Sequence, residues 1–209
     1  MVTLRRLRLA VQSSGRLREP SLDFARSLGL EFDARGSRGL VMACANADVE
    51  LVFVRHGDIP EYVRRGVVDF AVVGRNVLEE RGVNLPIVRE LEFGECRLVV
   101  AVPENSAITS VADLDGERIA TSYPRTLKTF LQRNGLAASV IEISGSVEAA
   151  PLLGLADAIC DLTQTGSTMR ANGLREVAGL LNSRAVLVES PFGDERKAAF
   201  ARRFMEVLA

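Results

Sequence analysis

Short apolar runs alternate along this chain with amphipathic segments, the pattern of an α/β architecture. "LRLAV" (7–11), "GLVMACA" and "VELVFV" read as strands, and a helix beginning near Pro20 carries Leu22, Ala25 and Leu28 on one face. Asp58 caps a helix with Pro60 in its first turn, where a missing N–H costs nothing, and Tyr62 and Val63 fall on its inner side. "VVDFAVVG" (67–74) is a buried strand followed by the helical "NVLEERG". "CRLVVAVP" (96–103) is a continuous apolar strand that breaks at "PENS".

Further on, "VADLDGERIATSYP" predicts a short helix, a strand and a loop, and residues 125–134, with Leu127, Phe130 and Leu131, a helix ending at Asn134-Gly135. "ASVIEIS" is a strand, "SVEAAPLLGL" a helix and "ADAICDL" another strand. "REVAGLL" fits a strand or a helix, and "RAVLVES" a strand. The C-terminal "DERKAAFARRFMEVL" is an amphipathic helix with Ala199, Phe200, Phe204 and Val207 inward. The order fits two lobes: residues 1–91 with 175–209, and residues 92–174. No internal repeat or low-complexity linker interrupts it.

Composition narrows the class. At 209 residues the chain is long enough to bury a core without disulfides or metals, and 47% hydrophobic with 25% charged residues is ordinary for a globular protein. A net charge of −1 gives no sign of nucleic-acid or membrane binding, so any anion site must be local. The basic "RRLR" (5–8) is short, interleaved with strand residues, and has no nucleic-acid role. Cys44, Cys96 and Cys160 are odd in number, far apart and set among apolar residues, which predicts reduced core thiols. "MVTLRRLRLAVQSS" has too short an apolar run for a signal peptide, so a cytoplasmic protein is expected.

The stretch "DAICDLTQTGSTMRANGL" (157–174) runs from a strand into a helix through Thr163, Gln164, Thr165, Gly166, Ser167 and Thr168. A helix N-terminus exposes unpaired N–H groups, hydroxyls add donors, and glycine admits a close backbone approach; together these would seat a phosphate monoester. Asp161, at the strand's end, is placed to accept hydrogen bonds from a sugar's hydroxyls. Helix capping with a glycine-eased turn explains the same residues equally well.

The run Glu148, Gly154, Ala156, Ile159, Asp161, Leu162, Thr165, Gly166, Thr168 and Met169 resembles the signature of the ATP phosphoribosyltransferases. So do "SGRL" (14–17), "VRHGDIPEYV" (54–63), "GVVDFAVVGRNVLEE" (66–80), "FGECRL" (93–98) and "RIATSYP" (118–124). The resemblance implies a two-lobed fold similar to periplasmic binding proteins, with the active site in the inter-lobe cleft. It implies transfer of phosphoribosyl from 5-phosphoribosyl-1-pyrophosphate to N1 of ATP, the first step of histidine biosynthesis, with Mg²⁺ assisting. Residues 163–168 would then hold the donor's 5′-phosphate, and Glu148 and Asp161 would meet the ribose hydroxyls or the metal shell, with no direct metal ligand assigned.

Arg16, Arg38 and Arg55 resemble the family's substrate-contacting arginines, the match at Arg38 needing a one-residue gap. Tyr123 falls at the nucleotide site or at a strand end. His56, the only histidine, reads as a surface residue, since N1 of adenine needs no strong base. There is one departure: relatives usually carry a lysine where this chain has Ser13, and a hydroxyl cannot replace an ammonium against pyrophosphate. Arg5 or Arg6 compensates, the metal carries more of the load, or turnover is slow.

The chain resembles the family's short form, which implies a homodimer or a hetero-octamer with a histidyl-tRNA-synthetase-like regulatory subunit. A truncated long form also fits. The competing functional classes are a non-catalytic small-molecule-binding module on the same fold and a catalytically weakened paralogue.

Overall fold

The longest apolar runs become strands covered on both faces. A computed structural model describes residues 5–33, 39–193 and 195–206, with the side chains of Arg196 and residues 203–206 left undescribed. Arg38 and Val207 lie outside the described residues, as does the Phe204 side chain. The chain divides into two compact units, one formed by residues up to Gly94 with those from Arg184 on, the other by Glu95–Ser183.

In the first unit, β1 (Leu7–Gln12), β2 (Val41–Ala43), β3 (Val49–Val54), β4 (Phe70–Gly74), β5 (Ile87–Glu90) and β11 (Ala185–Glu189) form one sheet in the order β2-β3-β1-β4-β11-β5. β3, β1 and β4 run parallel, while β2, β11 and β5 pair antiparallel. Alternate side chains part to opposite faces, as the period of two requires. Leu9, Val11, Leu51, Phe53, Phe70, Val72 and Leu187 enter one core beside α1 (Arg18–Ser27), with Phe200 of α7 (Glu195–Glu206) packed on it. Ala10, Val52, Ala71, Val73, Val186 and Val188 enter a second core with Ile59 and Val63 of α2 (Ile59–Arg64) and Val77 and Leu78 of α3 (Arg75–Arg81). Burial on both faces is why these strands read as unbroken apolar runs.

In the second unit, β6 (Cys96–Pro103), β7 (Arg118–Thr121), β8 (Ser139–Glu142), β9 (Ala158–Thr163) and β10 (Leu174–Ser183) are ordered β10-β6-β9-β7-β8. β9, β7 and β8 are parallel, and β6 runs antiparallel to β9 and β10. α4 (Pro124–Arg133) packs Leu127 and Leu131 against one face. α5 (Ala149–Leu152) and α6 (Ser167–Ala171) cover the other with Ala150 and Met169.

Several expectations change. Residues 174–183 form one strand that pairs along the whole of β6, from Leu174 opposite Pro103 to Ser183 opposite Cys96. They therefore belong with the second unit, and the chain returns between Ser183 and Arg184 rather than near 175. Two register shifts in that pairing break the strict alternation, which is why "REVAGLL" fits either element. β5 is a short, partly exposed strand with too few apolar residues to announce itself. "GLVMACA" yields only three strand residues, and the helix in "SVEAAPLLGL" only four. Tyr62 is exposed rather than inward, and so is Ala199. Asp58 sits at the N-cap of α2 without a side-chain capping bond. All three cysteines are buried free thiols, as expected. Among the described residues no helix is long and apolar enough to cross a membrane.

Candidate active site

Open α/β sheets bind ligands outside the carboxyl ends of parallel strands, where the chain departs to both sides of one strand. In the first unit that strand is β1, flanked by β3 and β4. Ser13 follows β1 directly and donates its N–H to the Val54 carbonyl at 2.8 Å, so the loops after β1 and β3 begin side by side. Gly15 takes a left-handed turn, φ +96°, and delivers Arg16, whose Nη1 donates to the Gly94 carbonyl at 2.6 Å. Arg55 follows β3, is exposed, and pairs with no carboxylate among the described residues.

Arg81, from the last turn of α3, reaches the same loop: a Cβ placed on Gly57 would lie 2.8 Å from its Nη2. Partial burial holds the His56 pKa below its usual value, and the charges of Arg81 and Arg16 push the same way against Asp58. His56 is exposed, as expected of a surface residue. Arg81 was missed in the sequence because its helix gives no sign of which loop its long side chain crosses.

In the second unit the equivalent strand is β7, flanked by β8 and β9. Tyr123, Glu148 and residues 164–168 all follow the carboxyl ends of these three strands. Side chains brace the ends together. The buried Thr121 hydroxyl donates to the Cys160 carbonyl at 2.7 Å and accepts from the Tyr123 N–H at 2.8 Å. Ser122 donates to the Ile143 carbonyl at 2.7 Å. The Tyr123 ring packs against the core beside α4.

The loop itself is tightly organised. Gly166 has φ +74°, a conformation only glycine adopts cheaply, and its N–H donates to the buried Thr163 hydroxyl at 2.8 Å. Thr163 accepts in that bond and so braces the turn. Thr165 Oγ1 donates to Ser167 Oγ at 3.0 Å, and Gln164 Nε2 donates to the Glu95 carbonyl at 3.3 Å. The Thr168 hydroxyl bonds to none of the described residues. α6 spans five residues, so its dipole is weak and the loop's own donors carry any attraction for anions.

Asp161 lies two residues beyond the buried Ile159 and therefore on the sheet face covered by α5 and α6. Glu148 occupies the N-cap of α5 on that same face. Burial pushes the Asp161 carboxyl above the ordinary aspartate range; an N–H bond from Leu162 at 2.8 Å opposes this and the Glu148 charge adds to it. Two carboxylates close enough to feel each other offer the oxygen donors a divalent cation prefers.

One expectation fails on distance. Arg5 forms a bidentate pair with Asp69 at 2.7 and 2.9 Å, and Arg6 pairs with Asp48 at 3.4 Å, both at the amino end of β1. Ser13 lies at the other end of a six-residue strand, about 20 Å away, so neither can replace the missing lysine.

Comparison with known proteins agrees with the signature. A family model described as HisG, ATP phosphoribosyltransferase, matches residues 55–209. An ATP phosphoribosyltransferase of Cytophaga hutchinsonii is 46% identical over 193 residues, covering 92% of this chain and 67% of that protein. A chain of the ATP phosphoribosyl transferase (HisG:HisZ) complex from Thermotoga maritima superposes with a TM-score of 0.82 at 30% identity, covering 97% of this chain and 98% of that one. The periplasmic aliphatic sulphonate binding protein SsuA of Escherichia coli, at 17% identity and TM-score 0.62 over 98% of this chain and 73% of its own, shares the fold alone. With this fold, these strand-end loops and these matches, the chain belongs to the ATP phosphoribosyltransferase family.

Proposed function

We propose that the chain transfers the phosphoribosyl group of 5-phosphoribosyl-1-pyrophosphate to N1 of ATP, releasing pyrophosphate, as the cytoplasmic first step of histidine biosynthesis. The observation that carries this reading is the family signature between Glu148 and Met169, whose loop residues follow the carboxyl ends of the second unit's parallel strands.

Substitution at the anomeric carbon passes through an oxocarbenium-like transition state, and the nucleophilic nitrogen belongs to ATP. The protein's work is to position the reactants and stabilise the departing charge. Thr165, Gly166, Ser167 and Thr168 bind the donor's 5′-phosphate through hydroxyls and backbone N–H groups, Thr163 and Gln164 hold the loop in shape, and Asp161 and Glu148 accept from the ribose hydroxyls. Arg16 and Arg55 bind the pyrophosphate oxygens, for which a permanently charged planar fork is suited. Arg81 supplies at the carboxyl end of β1 and β3 the cation that Ser13 lacks. Arg38, outside the described residues, keeps its substrate role on the family resemblance alone, and Tyr123 flanks the nucleotide.

Glu148, at the N-cap of α5, and Asp161, on the face of β9 that α5 covers, would offer Mg²⁺ the carboxylate oxygens it prefers. When bound, Mg²⁺ supplies charge neutralisation for the diphosphate. A partner related to the one named with the Thermotoga maritima structure, a histidyl-tRNA-synthetase-like regulatory subunit, completes the assembly, and a homodimer forms without it. The test is to mix purified chain, ATP, 5-phosphoribosyl-1-pyrophosphate and Mg²⁺, with and without that subunit, and follow the absorbance of the N1 adduct. Growth of absorbance dependent on both substrates is expected; none in either arm overturns the reading.

A further inference from the structure

Arg170 lies four residues beyond Gly166, in the last turn of α6. Side chains on a helix lean toward its N-terminus, so residue 170 covers residue 166. Arg170 Nη2 donates to the Thr165 carbonyl at 2.9 Å, and a Cβ added to Gly166 would lie 2.8 Å from Nη1. The guanidinium therefore folds back onto the loop it follows, and no carboxylate among the described residues neutralises it. Its bond to Thr165 uses one of five N–H donors. An uncompensated planar cation thus lies at a loop that exposes Gln164, Thr165, Ser167 and Thr168.

We propose that Arg170 is a specificity-determining residue for the donor's 5′-phosphate: it fixes the Thr165–Gly166 turn through the Thr165 carbonyl and presents its remaining donors to the phosphate oxygens. This rests on the reading of residues 165–168 as the phosphate site. The guanidinium favours a dianionic phosphate monoester over a neutral sugar and over a singly charged ester.

The test is calorimetric titration of the full chain with ribose 5-phosphate, and with ribose as the phosphate-free control, for the wild type, Arg170→Met and Arg170→Lys. Steady-state KM values for both substrates and melting temperatures accompany it. Arg170→Met should weaken ribose 5-phosphate binding about tenfold, the lower end for a hydrogen bond to a charged group because the site is exposed. The donor KM should rise in parallel, while the KM for ATP and the melting temperature stay put. Arg170→Lys should recover part of the loss, charge without the fork. If wild type and Arg170→Met bind ribose 5-phosphate equally, Arg170 is excluded and the loop reading stands. Equal loss of affinity for both substrates with a lowered melting temperature also overturns it, marking a purely structural residue. If the wild type fails to bind ribose 5-phosphate, the loop reading itself fails and takes this proposal with it.

Discussion

The first unit's loops after β1 and β3 carry Arg16 and Arg55, with Arg81 laid over Gly57; the second unit's loops after β7, β8 and β9 carry hydroxyls, two carboxylates and the folded-back Arg170. Both sets occupy the carboxyl ends of parallel strands where the connections diverge. Topology thus decides where a ligand can be met, and the residues on the loops decide what is met there. The first unit gathers guanidinium groups on its loops; the second has a braced loop of hydroxyls and a carboxylate kept partly out of water.

Removing a cation from the first unit should produce the largest effect. Arg55→Ala is expected to lower kcat by about 10²–10³, the usual loss for one preorganised charge donor at a developing anion. Unchanged turnover in initial-rate assays would remove it from the site. In the second unit, Gly166→Val forces a β-branched residue into φ +74° and should raise the donor KM by roughly an order of magnitude or more, with circular dichroism unchanged. Normal donor affinity in that variant would break the assignment of the loop. Arg81→Ala should cost less, about five- to tenfold in kcat/KM, because its charge is exposed and screened; an effect that vanishes in high salt would identify it as a long-range field rather than a contact.

The smallest effect concerns Asp161. Its pKa is raised by burial first and by Glu148 second. A carboxyl raised in the folded state lends stability while protonated and loses it as pH rises through the folded value. At neutral pH its charge is a cost, so Asp161→Asn should raise Tm in metal-free buffer, by about 2–4 °C for each kcal/mol relieved. The gap should close as pH falls below the ordinary aspartate range. A lower Tm at neutral pH, read by scanning calorimetry, would contradict the burial argument.

Much of this was legible from residue order. Strands covered on both faces announce themselves as apolar runs, and β6 matches its expected bounds at 96–103 because Leu98 to Val102 are buried without a break. β5 was not legible, since a partly exposed strand at a sheet edge needs few apolar residues. The strand identity of 174–183 was hidden by its two register shifts. At the site, Thr165 and Gly166 stand out by composition, whereas Arg81 and Arg170 do not: where a long side chain lies depends on packing around it. Arg5 and Arg6 show the converse, being near Ser13 in sequence and a strand's length away in space.

The irregular pairing of Leu174–Ser183 also shapes what the sheet presents at its margin. β10 is a sheet margin ten residues long, enough backbone to template a neighbouring molecule and seed fibrils. Each register shift bends and twists that margin, so an incoming strand finds no continuous ladder to join. The same kinks that obscured the element in the sequence leave that margin without a continuous ladder to offer.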